Sequence, residues 1–326
     1  MTHFDFEEER IKQEIQKFGA KRVLIQMPQG LKPDAPRIAK MVEKTGAIAL
    51  ISADPCYGAC DIANDEAINL GADMIIHFGH SKFVKHTPVS TIYIETRALT
   101  NIKEVLEKAL PLLNNYLKIG LAASVQHLQT LNEAREFLIC AGKTVVLEAG
   151  QVIGCDYSSV KTIDDEVDVY LFIGGGIFHA LGISLSTSKP TIVADPYDNR
   201  VFSVDEDTQK LLKQHWICIE QARNAKNIGI IIGLKLGQKR FEDALKIKAL
   251  IEKHGKTAYL IAMREVTPEA LLDFPTIEVY VNTACPRISF DAPEKFAKPI
   301  LTINEFMVAS GETSWKSMLK KGLFEN

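Results

Sequence analysis

The chain has 326 residues, 46% hydrophobic and 24% charged, which is enough apolar content for real cores and too much for a disordered chain. Its 38 basic and 41 acidic residues leave a net charge of −3, so nothing in the charge balance suggests non-specific nucleic-acid binding. No segment reaches the ~20 apolar residues of a membrane span, and the charged, helix-like N-terminal stretch lacks the apolar run of a signal peptide. A cytoplasmic protein of two or three domains is expected, with no nucleic-acid or membrane partner. Its six cysteines then need core, metal or catalytic roles, since stable disulfides are rare there.

The elements alternate between strand and helix. Residues 21–27 form a continuous apolar run of strand length, as expected for a strand buried on both faces of a parallel sheet. A helix over 33–44, a strand over 47–51, a helix ending at Leu70, and strands over 74–78 and 91–95 follow, then a charged helix over 102–113. The pattern restarts with a strand at 118–123, a helix at 125–140 with Gly142 placed for its cap, and strands at 144–147, 167–173 and 191–194. It restarts again with a helix opened by a capping box of Ser203 and Glu206, whose Leu212, Trp216 and Ile219 share one face. Strands at 228–232, 258–261, 277–281 and 300–303, a helix at 238–254 and a short tail helix near Trp315 complete the chain.

This reads as one unit used three times. The fold class expected is α/β: three Rossmann-like units, each a roughly four-stranded parallel sheet with flanking helices, around a pseudo-threefold axis. The units span residues 1–100, 101–202 and 203–326, carrying Cys60, Cys155 and Cys285 respectively. The loops after each first strand hold Gln29, Gln126 and Gln238.

Ligands of such sheets sit beyond the carboxyl ends of the strands. Cys60 and Cys155 follow the second strand of their units and Cys285 follows the third, each among Gly, Pro and small residues. Units packed with carboxyl edges inward would bring these loops to one point. Three thiols at one point suit a metal centre; separate buried thiols are the plain alternative. A cubane cluster normally takes four cysteines, so three leave one iron with an exchangeable position. Three thiolates plus water would also suit zinc. Cys140 and Cys218 fall in amphipathic helices and are expected to be inert packing residues. Cys56, four residues before Cys60, lacks the second close pair of a zinc knuckle and is expected to be a neighbour, not a ligand.

Gly174, Gly175 and Gly176, followed by Ile177, Phe178 and His179, give bare backbone N–H groups at a helix start, suited to a carboxylate or phosphate, or simply a tight turn. The spacing is not that of a dinucleotide-binding loop, and there is no P-loop. His77, His80, His86, His127 and His179 read as hydrogen-bonding or surface residues. Asp195, Asp198, Arg264 and Glu265 lie at strand ends as polar ligands or as caps, and Lys82 to His86 form a short basic loop.

Taken together, Tyr57-Gly-Ala-Cys60-Asp61, Phe78-Gly-His-Ser81, Gly174-Gly-Gly176 and Asn282-Thr-Ala-Cys285-Pro-Arg287 resemble, in order, the motifs of the archaeal diphthamide synthase family. The resemblance spans nearly the whole chain. It implies a homodimeric, noncanonical radical S-adenosylmethionine enzyme, a 2-(3-amino-3-carboxypropyl)histidine synthase, with a 4Fe-4S cluster on Cys60, Cys155 and Cys285. The clustered Cys-x3-Cys-x2-Cys of conventional radical enzymes is missing. It also implies a reducing electron donor and translation elongation factor 2 as protein substrate. On loop position, Gln29, Gly174, Gly175, Gly176, Gln238 and Arg287 are expected to hold S-adenosylmethionine. A zinc-dependent hydrolase on the same cysteines, or a non-catalytic partner subunit, are the alternatives.

Overall fold

Apolar runs too short for helices become parallel strands, because only a strand covered on both faces can bury every side chain along its length. The computed structural model describes residues 4–187, 189–291 and 293–324; the expected segments at 1–3 and 325–326 lie outside them. The chain divides into two compact units. The first comprises 1–100 with 125–129 and 235–237, and the second comprises 101–124, 130–234 and 238–326.

The first unit holds one sheet, in the order Ile48–Ile51, Arg22–Gln26, Met74–Phe78, Ser90–Ile94, all parallel. Alternate residues serve opposite cores. Val23, Ile25, Met74 and Ile76 pack with Ile11, Ile15 and Ile38, while Leu24 and Ile75 pack with Ile62, Ala67 and Val89. A short antiparallel ribbon joins Phe4–Asp5 to Arg97–Ala98.

The second unit holds two sheets. One runs Thr144–Gln151, Lys118–Ala123, Val169–Ile173, Thr191–Asp195, all parallel, then Arg200–Ser203, antiparallel at the edge. The other runs Thr257–Met263, Asn227–Gly233, Val279–Asn282, Ile300–Thr302, all parallel. One continuous core includes Tyr170 and Phe172 of the former and Ile228, Ile230 and Val281 of the latter. In each of the three sheets the first parallel strand lies between the second and third, the doubly wound arrangement.

A carboxylate clasp recurs at the amino ends. Asp73 Oδ2 accepts the backbone N–H of Lys21 and Arg22, each at 2.8 Å. Asp168 Oδ2 accepts those of Leu117 (3.0 Å) and Lys118 (2.8 Å). Glu278 Oε2 accepts those of Lys226 (2.6 Å) and Asn227 (2.8 Å). Each acid directly precedes the third strand of its sheet and ties down the start of the first. These hydrogen bonds hold all three carboxyls below their usual range, chiefly through the N–H groups of Arg22, Lys118 and Asn227 respectively.

Several expectations need correction. Ser203 and Glu206 form no capping box: Val204 occupies the cap of helix Asp205–Asn224, and Ser203 Oγ reaches only the N–H of Asp205. The box is instead Thr302 with Glu305, opening Ile303–Ala309. The buried stripe of Asp205–Asn224 is Thr208, Leu211, His215, Ile219 and Ala222, leaving Trp216 exposed against Trp315. The edge strand Arg200–Ser203 is not marked by the apolar pattern, since only Val201 and Phe202 are apolar. Cys140 is exposed and is not a packing residue. Cys218 is half-buried against the core, and burial pushes its thiol up to about 11.

Candidate functional site

In the first unit, Cys60 lies in the loop between strand Ile48–Ile51 and helix Asn64–Asn69. This loop is held from several sides. Gln26, buried at the end of the central strand, donates from Nε2 to the Asp61 carbonyl (2.6 Å) and accepts the Ala63 N–H at Oε1 (3.1 Å). Lys32 Nζ donates to the carbonyls of Ala53 (2.7 Å) and Asp54 (2.8 Å). Gly237 N–H donates to the Cys60 carbonyl at 2.9 Å. A Cβ on Gly237 would stand 2.6 Å from the Cys60 Cα, so only glycine allows this approach. Lys235, nearly fully buried, bridges to Asp61 Oδ2 at 2.9 Å and sits 4.4 Å from the centroid of the Tyr57 ring.

In the second unit, Cys155 lies between strand Thr144–Gln151 and helix Ser158–Lys161. Cys285 caps the short helix Pro286–Phe290, where Asn282 Nδ2 holds its carbonyl at 2.7 Å. Tyr157 follows Cys155 by two residues, and its hydroxyl is pushed up by burial and eased by Arg287. Tyr157 fits against Gly182, where a Cβ would stand 1.8 Å from its oxygen.

Arg287 is buried between aromatic faces, 3.7 Å from the Phe178 ring centroid and 5.5 Å from that of Phe324. Its Nε and Nη2 donate to Asp291 at 3.3 and 2.5 Å. Its Nη1 is buried with no hydrogen-bond partner among the described residues. A buried guanidinium nitrogen left unpaired costs free energy, so this edge is ready for an oxygen ligand.

The remaining expected site residues fall as follows. Gly174, Gly175 and Gly176 precede helix Phe178–Thr187, but the Gly176 N–H already donates to Asp195 Oδ2 at 3.0 Å. Asp195 also accepts the N–H of Tyr197 and Asp198, so it acts as a turn cap. Gln29 is exposed in the turn Gln29–Asp34, and Gln238 is buried in the turn Leu236–Gln238. Gln126 donates from Nε2 to the Gly79 carbonyl at 2.7 Å, which gives it a structural role. His179 stacks on Phe172. The cysteine pattern did not point to Lys235, Gly237, Tyr157, Asp291 or Gln26. Lys235 is the first of three cations in the connection after strand Asn227–Gly233, with Lys239 and Arg240, so nothing in the sequence singled it out.

Fold and loops define a doubly wound α/β protein in which Cys60, Cys155 and Cys285 lie in loops beyond the carboxyl ends of parallel strands. The family model for the diphthamide synthesis protein matches residues 27–320. The chain is 36% identical, over 92% of its length and 89% of the relative's, to 2-(3-amino-3-carboxypropyl)histidine synthase of Pyrococcus horikoshii. It is 28% identical to the human 2-(3-amino-3-carboxypropyl)histidine synthase subunit 1, over 97% of this chain and 74% of that one. The crystal structure of Dph2 from Pyrococcus horikoshii with a 4Fe-4S cluster matches with a TM-score of 0.87 at 35% identity, covering 95% of this chain and 92% of that chain. The chain belongs to the diphthamide synthesis protein family.

Proposed function

We propose that this chain catalyses the first step of diphthamide synthesis, moving a 3-amino-3-carboxypropyl group from S-adenosylmethionine to a histidine of translation elongation factor 2. Cys60, Cys155 and Cys285 would hold a 4Fe-4S cluster. The donor set fits: all three are partly exposed cysteines in loops at strand ends, and Gly237 lets a second loop approach Cys60 closely. Bound there, the cluster supplies one electron, received from an external reductant, for breaking the bond between sulfur and Cγ of S-adenosylmethionine.

The residues of the chain bind and orient. The free edge of Arg287 accepts the substrate carboxylate, with Asp291 and Phe178 fixing the plane of the guanidinium. Gly174, Gly175, Gly176, Gln29 and Gln238 line the adenosine and amino-acid moieties. Methylthioadenosine leaves, the Cγ bonds to C2 of the target imidazole, and that carbon loses a proton as the adduct gives back the one electron, so that the transfer is redox-neutral overall. Tyr157 stays a neutral hydroxyl, because burial disfavours its anion.

The strand order and clasp common to the three sheets support three α/β units, 1–100, 101–202 and 203–326; a cytoplasmic homodimer is part of the same proposal. The observation that carries the functional reading is buried Arg287, two residues after Cys285, with its Nη1 unpartnered among the described residues. The test is anaerobic incubation of reduced protein with S-adenosylmethionine and elongation factor 2. Release of methylthioadenosine with a matching mass gain on the factor is expected. A colourless protein carrying stoichiometric zinc and releasing none would favour the hydrolase instead.

A further inference from the structure

His77 ends the third strand of the first sheet, His80 lies three residues on, and Cys56 stands in the loop after the second strand. One donor atom from each lies within 4.8 Å of the others, a grouping of His and Cys found nowhere else among the described residues. Cys56 and His77 are buried and the His80 ring is partly so.

The hydrogen bonds fix the protons. The Gln26 amide is oriented by donating from Nε2 to the Asp61 carbonyl and accepting the Ala63 N–H at Oε1. The same Oε1 lies 2.8 Å from His77 Nδ1, which must therefore carry the proton. His77 Nε2 then carries no proton and accepts from His80 Nδ1 at 3.0 Å, a bond that an ion between the two rings would replace. An imidazole whose far nitrogen donates to an amide or carboxyl oxygen is the usual arrangement of a metal-bound histidine. Burial also keeps both rings neutral, with His80 moved down to about 4. A tetrahedral ion bonded to both nitrogens at ~2.0–2.1 Å would need them only a few tenths of an ångström further apart.

We propose that Cys56, His77 and His80 form a second metal site, separate from the three-thiol centre, that takes a borderline divalent cation of the zinc class. Two imidazoles and one thiolate match that preference, and calcium or magnesium would demand oxygen ligands instead. Binding exchanges the thiol proton of Cys56 for the ion, so the proton, which burial holds on that thiol up to about 12, competes with the metal and affinity rises with pH. Three protein ligands leave the fourth position to water. The ion would pin the loop that carries Cys60 to the end of strand Met74–Phe78, so that the loop is ordered before any cluster is loaded.

The test uses the whole chain with Cys60→Ser, Cys155→Ser and Cys285→Ser, which removes the three thiols of the other centre, and with Cys140→Ser and Cys218→Ser, which leaves Cys56 as the one thiol, kept reduced and titrated with cobalt(II). About one equivalent should bind with the visible bands of tetrahedral cobalt and a thiolate charge-transfer band, and zinc should displace it. Cys56→Ser should abolish the charge-transfer band. His80→Ala should weaken binding at least tenfold, and Gln26→Leu should weaken it by about 10–100-fold. A second readout is internal to each variant: zinc should raise the thermal midpoint of the parent but not of His80→Ala. Octahedral cobalt spectra, or bands unchanged in Cys56→Ser, would overturn the site. Neither outcome depends on the cluster, which is measured separately as iron in the unsubstituted chain.

Discussion

In the first unit, the cation next to the cysteine loop is Lys235, buried and bonded to the buried carboxylate of Asp61. In the second, it is Arg287, equally buried, but its partner Asp291 is 42% exposed and one guanidinium nitrogen has no partner among the described residues. The difference separates two uses of a buried charge. Lys235 is spent on architecture: it neutralises Asp61, which also caps the Tyr57 N–H, and so fixes the turn bearing Cys60. Arg287 is half-committed: its aromatic walls and Asp291 set its orientation, and the remaining edge is left for a ligand.

The largest expected effect removes what the two regions share. Cys60→Ala, Cys155→Ala and Cys285→Ala should each reduce iron to background after anaerobic reconstitution, whereas Cys56→Ala, Cys140→Ala and Cys218→Ala should retain it. Equal iron in all six would refute the ligand set. Next comes the contrast in stability. Lys235→Met strands a buried carboxylate and should cost about 3–5 kcal/mol in urea unfolding. Asp291→Ala leaves Arg287 its aromatic faces and should cost only about 1–2 kcal/mol; equal losses would erase the distinction.

A smaller effect concerns binding. Arg287→Lys keeps the charge but loses the planar fork, so the KM for S-adenosylmethionine should rise about tenfold, roughly 1.4 kcal/mol, with a lesser change in kcat. A KM that does not move would assign Arg287 to packing. The smallest effect is on pH. Asp73, Asp168 and Glu278 have folded-state pKa values below their unfolded ones. Their contribution is therefore present above about pH 4, the unfolded carboxyl range, and is lost as pH falls through the lower folded values. Asp291 has the opposite sign, since burial raises it, so its share weakens as pH rises. The triple variant Asp73→Asn, Asp168→Asn, Glu278→Gln should flatten the acid limb of a thermal-midpoint profile, whereas Asp291→Asn should not.

Much of this was legible because parallel strands announce themselves: Val169 to Ile173 is apolar without interruption, and Val23 to Met27 is broken only by Gln26. The cysteine loops were legible because glycine and proline surround them. What escaped reading was long-range. Lys235 finds Asp61 across 174 residues, a pairing no local pattern encodes. The true capping box lies at Thr302 and Glu305, whereas Ser203 and Glu206 carry the same spacing without the geometry, because the helix begins one residue later than the box requires. His77 and His80 looked unremarkable singly, since Gln26, which fixes His77, sits on a different strand.

The clasps made by Asp73, Asp168 and Glu278 lie at the opposite ends of the strands from the cysteine loops. Each sheet therefore has an anchored edge and a free edge. Substitutions and insertions at the free edge can accumulate without loosening strand pairing, because register is held from the other side. An ancestral sheet of this design could be duplicated and its loops diverge, one acquiring a thiol after its second strand and another after its third, with no need to reinvent the scaffold each time.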